Sequence, residues 1–373
     1  MQARNNLAVI RRRRGFAVAT LAAQIGVKRQ TIYAIEAGSY IPNTLVALRL
    51  AQVLEVSVEE LFSIEEEHHA LPSCERVDFL VASQGETLRA GQSVCLGRVG
   101  RHVVAVPASP IPTGLPEADG LVLKIDRLNR GIVQPLDAEA SRANTLVVAG
   151  CDPGMSVLAR QLRRFSDAQL IVAGCSSSQA LRWLKEKRVH VAGTHLRDES
   201  TGESNLPAVR KLFPRGGYRV ITFANWEEGL VVARGNPKRV RRIEDLSRKG
   251  VLFVNRERGA GSRFLLDSWL QKQGIAASSV QGYERIAYGH MQAAWYVFSG
   301  EVDCCIAVRA AAQAFGLGFL PLVEERYDLI VPEAHLDLQA VQIMLDVMNR
   351  TSLKRELEAL GGYDTSQTGH MLV

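Results

Sequence analysis

The chain has 373 residues and a mass of 40.9 kDa; 47% of the residues are hydrophobic and 23% are charged. This length predicts two or three domains of ~100–200 residues each, and the composition excludes a chain that is disordered throughout. The net charge is +6, and the isoelectric point is about 9.1. No apolar run reaches the ~18 residues of a membrane span and the N-terminus has no apolar secretory segment, so we expect a cytoplasmic protein.

The six cysteines are scattered without C-x-x-C spacing. This pattern predicts reduced thiols, and neither a disulfide framework nor a zinc site. His68 and His69 lie in an acidic stretch that also contains a proline, and no further ligand types are spaced around them. We therefore interpret them as solvated linker residues, and expect no metal and no cofactor.

The first 63 residues carry most of the positive charge, with eight basic against four acidic residues. Apolar residues at helical spacing predict four helices, over 5–14, 18–25, Lys28–Ala37 and Thr44–Leu54. Ser57 and Glu60 have capping-box spacing, which predicts a short fifth helix ending near Phe62. A glycine turn separates the second and third helices, as in a helix-turn-helix bundle. A basic bundle favours nucleic acid as partner, although a solvated charged helix face is the alternative.

The sequence from the second helix onward reads LAAQIGVKRQTIYAIEAGSYIPNTLVALRLAQVLEVSVEELF. It combines a turn, a recognition helix, an E-x-G stop, a proline and a final E-E-L-F in register. It thereby resembles the phage-repressor-like, xenobiotic-response-element (XRE) family of helix-turn-helix domains. The resemblance implies a homodimer that binds double-stranded operator DNA.

The same resemblance assigns roles to individual side chains. The exposed face of the recognition helix would contact DNA through Lys28, Arg29, Gln30, Thr31 and Tyr33. Gln30 is suited to a bidentate contact with adenine. Phosphates would be contacted by Arg11, Arg12, Arg13 and Arg14, which position the domain without reading sequence.

Residues 64–143 are predicted to form a linker and a small β-rich module. Short β-type runs separated by Gly and Pro occur at Val77–Ala82, Ser93–Leu96, His102–Val106 and Leu121–Ile125. These runs carry no recognisable chemistry. We expect the module to space the head from the rest of the chain or to support dimerisation.

From about residue 145, strand-like and helix-like segments alternate, which predicts a mainly parallel sheet with helices on both faces. Loops rich in Gly and Ser lie where predicted helices begin, at 150–154, 174–178 and 259–263. Helix N-termini and hydroxyl groups favour anions, although such loops often serve only as caps and turns. No P-loop, dinucleotide fingerprint or nucleophile elbow is present, so we do not expect an enzyme.

The segments LVVAGCDPGMSVLARQL, VHVAGTHLRDESTGESN, VNRERGAGSRFLLD and YDLIVPEAHLDLQAVQIMLDVM occur in this order. They are similar to the type II periplasmic-binding-protein-like domain, and more narrowly to its cytosolic, molybdate-binding-like branch. The similarity covers residues 144–373. It implies two α/β lobes joined by crossing strands near Phe223–Val231 and Leu320–Ile330, with ligand bound between the lobes. The implied ligand-binding residues are Cys151, Asp152, Ser176, Ser177, Ser178, Thr194, His195, Gly261, Ser262, Arg263, Tyr288 and His290.

The sequence thus predicts a multidomain protein: a helix-turn-helix head at 1–63, a β-rich segment at 64–143 and a two-lobed sensor at 144–373. The expected function is that of a ligand-responsive, one-component transcriptional regulator, with a molybdate-like oxyanion as the first candidate effector. There are two alternatives: the effector is a small organic metabolite, or the two-lobed domain serves only dimerisation or partner docking. Cys151 and Cys175 lie beside two of the loops, which leaves redox sensing as a further option.

We expect Gln30→Ala to relax sequence preference and to weaken the specific complex by about 1–3 kcal/mol, because it removes a contact to a base edge. Arg12→Ala should weaken specific and random DNA alike and reduce the salt dependence of binding. Titrations of both variants on selected and scrambled duplexes measure the difference. An equal loss on both duplexes for Gln30→Ala would refute its base-reading role.

Overall fold

A computed structural model of the chain describes residues 3–64, 72–82, 88–108, 115–198 and 201–373. The chain forms two compact units, Met1–Leu71 and Pro72–Val373. His68 and His69 lie outside the described residues. Among the described helices, none has both the length and the apolar character that crossing a bilayer requires.

The first unit is built from short helices whose bounds follow the predicted ones. They are α1 (Leu7–Arg13), α2 (Val18–Ile25), α3 (Arg29–Glu36), α4 (Thr44–Leu54) and α5 (Val58–Leu61). Local signals fix these bounds: the Asn43 side chain caps α4, and Ser57 with Glu60 forms the capping box of α5. The unit also pairs β1 (Ala3–Asn5) with β2 (Phe62–Ile64), which was not predicted.

A single apolar core holds these helices together. Fully buried side chains from all five helices meet there, among them Leu7, Leu21, Ile32, Leu50 and Leu61. Because each helix is too short to be stable alone, burial of one apolar face per helix provides most of the stabilisation.

The second unit begins with a small closed barrel. Its strands are β3 (Glu75–Phe79), β4 (Ser93–Val99), β5 (His102–Pro107), β6 (Gly120–Ile125) and β7 (Arg130–Pro135). They close in the order β3-β5-β4-β6-β7, with β3 and β5 parallel and the other pairings antiparallel. The sequence predicted the first four strands but not β7. Closure removes the exposed strand edges that an open sheet of this size would leave.

The barrel packs directly on the α/β part of the same unit. Leu80, Val99 and Val104 share a core with Val147 and Ile171 of the neighbouring sheet. A Cβ at Gly97 would overlap the Val147 side chain, so only glycine permits this approach. The predicted boundary at 143 and 144 therefore separates two folds that lie within one compact unit.

The remainder of the unit is the two-lobed α/β domain. Its strands are β8 (Thr145–Gly150), β9 (Gln169–Gly174), β10 (Val191–Thr194), β11 (Tyr218–Val232), β12 (Phe253–Arg256), β13 (Ile286–Ala287), β14 (Cys304–Val308), β15 (Gly318–Pro332) and β16 (Tyr363–Asp364). Its helices are α6 (Met155–Phe165), α7 (Ser177–Lys185), α8 (Leu206–Leu212), α9 (Gly261–Lys272), α10 (His290–Phe298), α11 (Arg309–Ala314), α12 (Gln339–Met348) and α13 (Thr351–Ala359). The multidomain fold class predicted from the sequence is confirmed.

The sheet is mixed, where the sequence predicted a mainly parallel one. Its strand order is β13-β12-β14-β11-β15-β10-β8-β9, with β16 paired to β11. Each lobe contributes three parallel strands, whereas β11 and β15 pair antiparallel along their whole length and run from one lobe into the other. The strand β11 is a single strand of 15 residues. The strands β11 and β15 are the crossings expected near Phe223–Val231 and Leu320–Ile330.

A buried histidine lies where the barrel meets this sheet. His190 is 5% exposed, and its Nδ1 accepts a hydrogen bond from the Val147 amide at 3.0 Å. Burial, aided by the nearby His335, lowers the pKa of His190 to about 4. The folded protein therefore keeps this imidazole neutral at a pH where the unfolded chain would protonate it.

Because the folded-state pKa of His190 lies below its unfolded value, its contribution to stability is complete above pH ~6.5 and is lost as the pH falls towards ~4. We expect this loss to be on the order of 3 kcal/mol. His190→Asn keeps an acceptor near Nδ1 but cannot titrate, so its stability should vary less over this range. Urea unfolding of both proteins from pH 7 to pH 4 measures the difference, and parallel pH profiles would contradict it.

Candidate functional site

The recognition helix α3 presents the predicted DNA-contacting side chains to solvent. Lys28, Arg29 and Gln30 are exposed, and Tyr33 is 59% exposed. Thr31 is half-buried, and Ile32 on the opposite face is buried in the core. The surface of α3 therefore combines positive charge with an amide that can pair with a base.

The four consecutive arginines do not share one environment. Arg11 is buried and forms a two-point ion pair with Glu36, at 2.5 and 3.1 Å, while its Nη1 donates to the Phe16 carbonyl. Arg14 donates to the Glu55 carbonyl at 3.0 Å. The predicted phosphate role of Arg11 is therefore corrected: its guanidinium joins α1 to the end of α3. Arg12 and Arg13 are exposed and remain predicted phosphate contacts.

Five side chains from distant parts of the chain meet between the two lobes. Cys151 follows β8, His195 follows β10, and His290 begins α10. Glu228 and Glu325 lie on the crossing strands β11 and β15. We call these five residues the interlobe centre. Of the five, only Cys151 and Glu325 keep partial exposure; the other three are buried.

Both imidazoles of the interlobe centre have the same orientation. The Cys151 Sγ lies 3.2 Å from His195 Nε2 and 3.7 Å from His290 Nε2. On the other side of each ring, His195 Nδ1 lies 2.6 Å from Glu325 Oε2, and His290 Nδ1 lies 3.8 Å from Glu228 Oε1. Each histidine therefore places one nitrogen near a shared thiol and the other near a carboxylate.

The low-dielectric surroundings determine which of these groups carry charge. Burial, with the nearby Glu325, raises the pKa of Glu228 to about 8. Burial lowers the pKa of His290 well below its ordinary value, and the charges of Arg256 and His195 lower it further. Burial alone would lower the pKa of His195, but the Cys151 sulfur and the Glu325 carboxylate raise it well above its ordinary value. The surroundings therefore favour the neutral form of His290 and the charged form of His195.

Aromatic rings enclose one side of the interlobe centre. The Trp226 ring lies 5.0 Å from the His195 ring and 5.4 Å from the His290 ring, and Tyr327 packs 5.0 Å from Trp226. Beyond them, Asp152 Oδ1 accepts hydrogen bonds from the Gly154 amide at 2.6 Å and from the Tyr363 hydroxyl at 2.5 Å.

Several buried polar atoms around the interlobe centre have no hydrogen-bond partner among the described residues. They are Asp152 Oδ2, Trp226 Nε1, Glu228 Oε2, Arg256 Nη1, His290 Nδ1 and Tyr327 OH. An unpartnered buried polar atom is costly, and proteins rarely keep several together without water, an ion or a ligand to satisfy them. This concentration marks the interlobe region as the candidate ligand site.

The predicted serines make contacts within the protein, in which the hydroxyl oxygens of Ser176 and Ser177 act as acceptors. Ser176 Oγ accepts from the Gln179 amide at 3.3 Å as the cap of α7, and Ser177 Oγ accepts from the His195 amide at 3.1 Å. Ser262 donates to the buried Glu228 carboxylate. The Ser178 amide donates to the Gly259 carbonyl of the opposite lobe at 3.3 Å. These contacts hold loops and lobes in place.

The other predicted ligand-binding residues divide between the site and its surroundings. Gly261 packs against His195 so closely that a Cβ there would overlap the His195 carbonyl and ring. Buried Thr194 donates to Asn205 at 3.4 Å, away from the interlobe centre. Arg263 is turned into its own lobe, with its guanidinium over the Tyr283 ring. Tyr288 is 42% exposed.

Sequence reasoning found three of the five members of the interlobe centre and missed Glu228 and Glu325. It also missed Trp226, Tyr327 and Arg256. The sequence pattern that could have indicated Glu228 and Glu325 is a pair of adjacent glutamates within each of two otherwise apolar strand segments, NWEEG and VEERYD. Buried Cys175 does not suit redox sensing, because burial raises the pKa of its thiol well above the ordinary value.

Comparison with known proteins agrees with this architecture. A profile described as a PBP superfamily domain matches residues 159–349, more than half of the chain, and a helix-turn-helix profile matches residues 7–61. The chain belongs to the PBP superfamily. The XRE-type head and the PBP domain inferred by resemblance are thereby confirmed.

Individual relatives cover different shares of the chain. The uncharacterized Bacillus subtilis protein YvgK is 30% identical over 240 residues, which span 64% of this chain and 77% of YvgK. The uncharacterized helix-turn-helix transcriptional regulator YgzD of Bacillus subtilis is 37% identical over 65 residues, 17% of this chain and 98% of YgzD. The solved sulfate-binding protein SubI from Mycobacterium tuberculosis is 18% identical with a TM-score of 0.42, covering 59% of this chain and 86% of SubI.

Loss of the Arg11 side chain should loosen the head without any DNA present, because it leaves the half-buried Glu36 carboxylate without its partner. We expect Arg11→Ala to lower the free energy of opening of the head by on the order of 1–3 kcal/mol. The exposed neighbour provides the control, since Arg12→Ala should change it by at most ~0.5 kcal/mol. Hydrogen exchange of peptides from α1 and α3 measures both variants. Unchanged exchange in Arg11→Ala would contradict the positioning role.

Proposed function

We propose that this protein is a one-component transcriptional regulator whose head binds operator DNA and whose PBP domain binds a small cytosolic ligand between its lobes. The observation that carries the ligand-binding part is the set of unpartnered, buried polar atoms around the interlobe centre. The DNA-binding part is supported by the exposed Lys28, Arg29 and Gln30 on the recognition helix. A catalytic step has no place in this proposal.

An oxyanion of the molybdate type is the candidate effector that the sequence resemblance supplies. Arg256 Nη1, Trp226 Nε1 and Tyr327 OH are buried donors that suit an anion, and the loop ahead of α9 adds backbone amides at a helix start. The carboxylates of Glu228 and Glu325 oppose an anion unless they are protonated or paired. A small organic acid that uses the same donors is the second candidate effector. The remaining alternative is that the PBP domain binds no effector and serves only dimerisation or docking.

Contacts between the lobes show how a bound ligand would stabilise the closed form of the PBP domain. The Ser178 amide donates to the Gly259 carbonyl, and Gly261 lies against His195, so the lobes touch at two points beside the interlobe centre. A ligand bound there contacts both lobes and stabilises their closed arrangement. Regulation requires the ligand to bind the DNA-competent and DNA-incompetent states with different affinity. A homodimer on a two-fold operator is the expected assembly.

Gly261→Ala is designed to prevent closure, because the added Cβ would overlap His195 only when the lobes are together. Gly174→Ala is the matched control, since a Cβ at Gly174 meets no atom within 4 Å. We expect effector to change operator affinity by about 5–150-fold in the unmodified protein and in Gly174→Ala. In Gly261→Ala most of this change should be lost.

Fluorescence anisotropy on DNA selected by the full chain from a random pool measures this response, with molybdate, sulfate, phosphate and small organic acids as test ligands. A full response in Gly261→Ala would contradict coupling through lobe closure. Unchanged operator affinity and thermal stability across the panel would instead favour the docking or dimerisation alternative.

A further inference from the structure

The chemistry of the interlobe centre differs from that of a simple anion pocket. Three strong metal-ligand atoms face one another there: Cys151 Sγ, His195 Nε2 and His290 Nε2. These three residues have ligand atoms that all lie within 4.8 Å of one another, and so do His195, Glu228 and Glu325. No metal site was expected from the sequence, which has no C-x-x-C spacing, and these three residues are far apart in the chain.

The distances fit a tetrahedral metal ion. With a zinc–sulfur bond of ~2.3 Å and a zinc–nitrogen bond of ~2.0–2.1 Å, tetrahedral geometry separates sulfur from nitrogen by about 3.6 Å. The observed separations from Cys151 Sγ are 3.2 Å to His195 and 3.7 Å to His290. The two imidazole nitrogens lie within 4.8 Å of each other, and tetrahedral coordination would bring them to about 3.3 Å.

The outer partner of His195 matches that of a metal ligand, and a carboxylate also lies near the outer nitrogen of His290, although beyond hydrogen-bond distance. In protein metal sites a ligating imidazole usually donates its other N–H to a carboxylate, which fixes its orientation and tautomer. Glu325 lies 2.6 Å from His195 Nδ1, and Glu228 lies 3.8 Å from His290 Nδ1. Both rings therefore direct Nε2 towards the thiol. The Nδ1 atom of fully buried His290 has no hydrogen-bond partner among the described residues.

We propose that the interlobe centre binds a thiophilic transition-metal ion, of the class represented by Zn²⁺, through Cys151, His195 and His290. One thiolate and two imidazoles select such ions over Mg²⁺ or Ca²⁺, which take oxygen ligands. This proposal rests on the proposed function, because it identifies the class of ligand bound at the same interlobe site.

The placement of the three ligands links metal binding to closure of the lobes. Cys151 and His195 follow strands of the first lobe, whereas His290 begins α10 in the second. Only a closed domain brings His290 within reach of the other two. A bound ion therefore joins the lobes directly, which is the action that an effector of this fold requires.

The test uses the purified full chain after treatment with a chelator. Zn²⁺ is titrated against a chromophoric competitor, and Co²⁺ is added separately as a spectroscopic probe. We expect one ion per chain and a sulfur-to-cobalt charge-transfer band. Cys151→Ser and His290→Gln should each weaken Zn²⁺ binding by more than about 100-fold, beyond the ~10–100-fold loss that removal of an outer partner causes.

Two further variants sharpen the result. Cys74→Ser removes an exposed thiol of the barrel and should leave Zn²⁺ affinity unchanged. Glu325→Gln should weaken Zn²⁺ by ~10–100-fold and keep the cobalt band, because it alters the support of His195 and not the ligand itself. Absence of stoichiometric binding, or a cobalt spectrum without the sulfur band, overturns the proposal even if a variant fails to fold.

Operator binding separates this proposal from the broader function. Stoichiometric Zn²⁺ binding without any effect on operator affinity would leave the metal site standing and contradict its role as effector site. An operator response to an oxyanion or organic acid in protein that binds no Zn²⁺ would overturn the metal site and support the regulatory function.

Discussion

The antiparallel pairing of β11 with β15 is the constraint on which the PBP domain depends. The two fifteen-residue strands pair from Tyr218 with Pro332 to Val232 with Gly318, and each lobe is built on one end of this ladder. The same ladder carries Glu228 and Glu325 between the lobes. The same strand pair therefore joins the lobes and positions the two carboxylates, because the side chains of a strand are fixed by its backbone.

Burying the polar groups of the interlobe centre lowers the stability of the folded protein. Buried carboxylates and imidazoles lose hydration, and several polar atoms around them lack partners. An apolar filling of the same volume would be at least as stable. The centre is therefore better explained by a bound group than by stability, because perturbed titratable groups in a cleft commonly mark functional sites.

The head uses a buried polar contact in a different way. Arg11 and Glu36 satisfy each other at two points, so the pair is complete without any ligand. It links α1 to the last residue of α3 and thereby orients the recognition helix that carries Gln30. In the head, the buried polar groups are paired with each other, which indicates a structural role. In the PBP domain, buried polar atoms lack hydrogen-bond partners, which indicates a binding site.

The helices of the head follow from local signals, because capping residues such as Asn43 and Ser57 and apolar spacing act within a few residues. Cys151 was found in a glycine-rich loop, and His195 and His290 were implied by the family resemblance. That these three side chains meet follows from the folded chain alone, since Cys151 and His290 are 139 residues apart and long-range pairing leaves no local pattern. Closure of the barrel, burial of Arg11 and the roles of Glu228 and Glu325 depend on such pairing for the same reason.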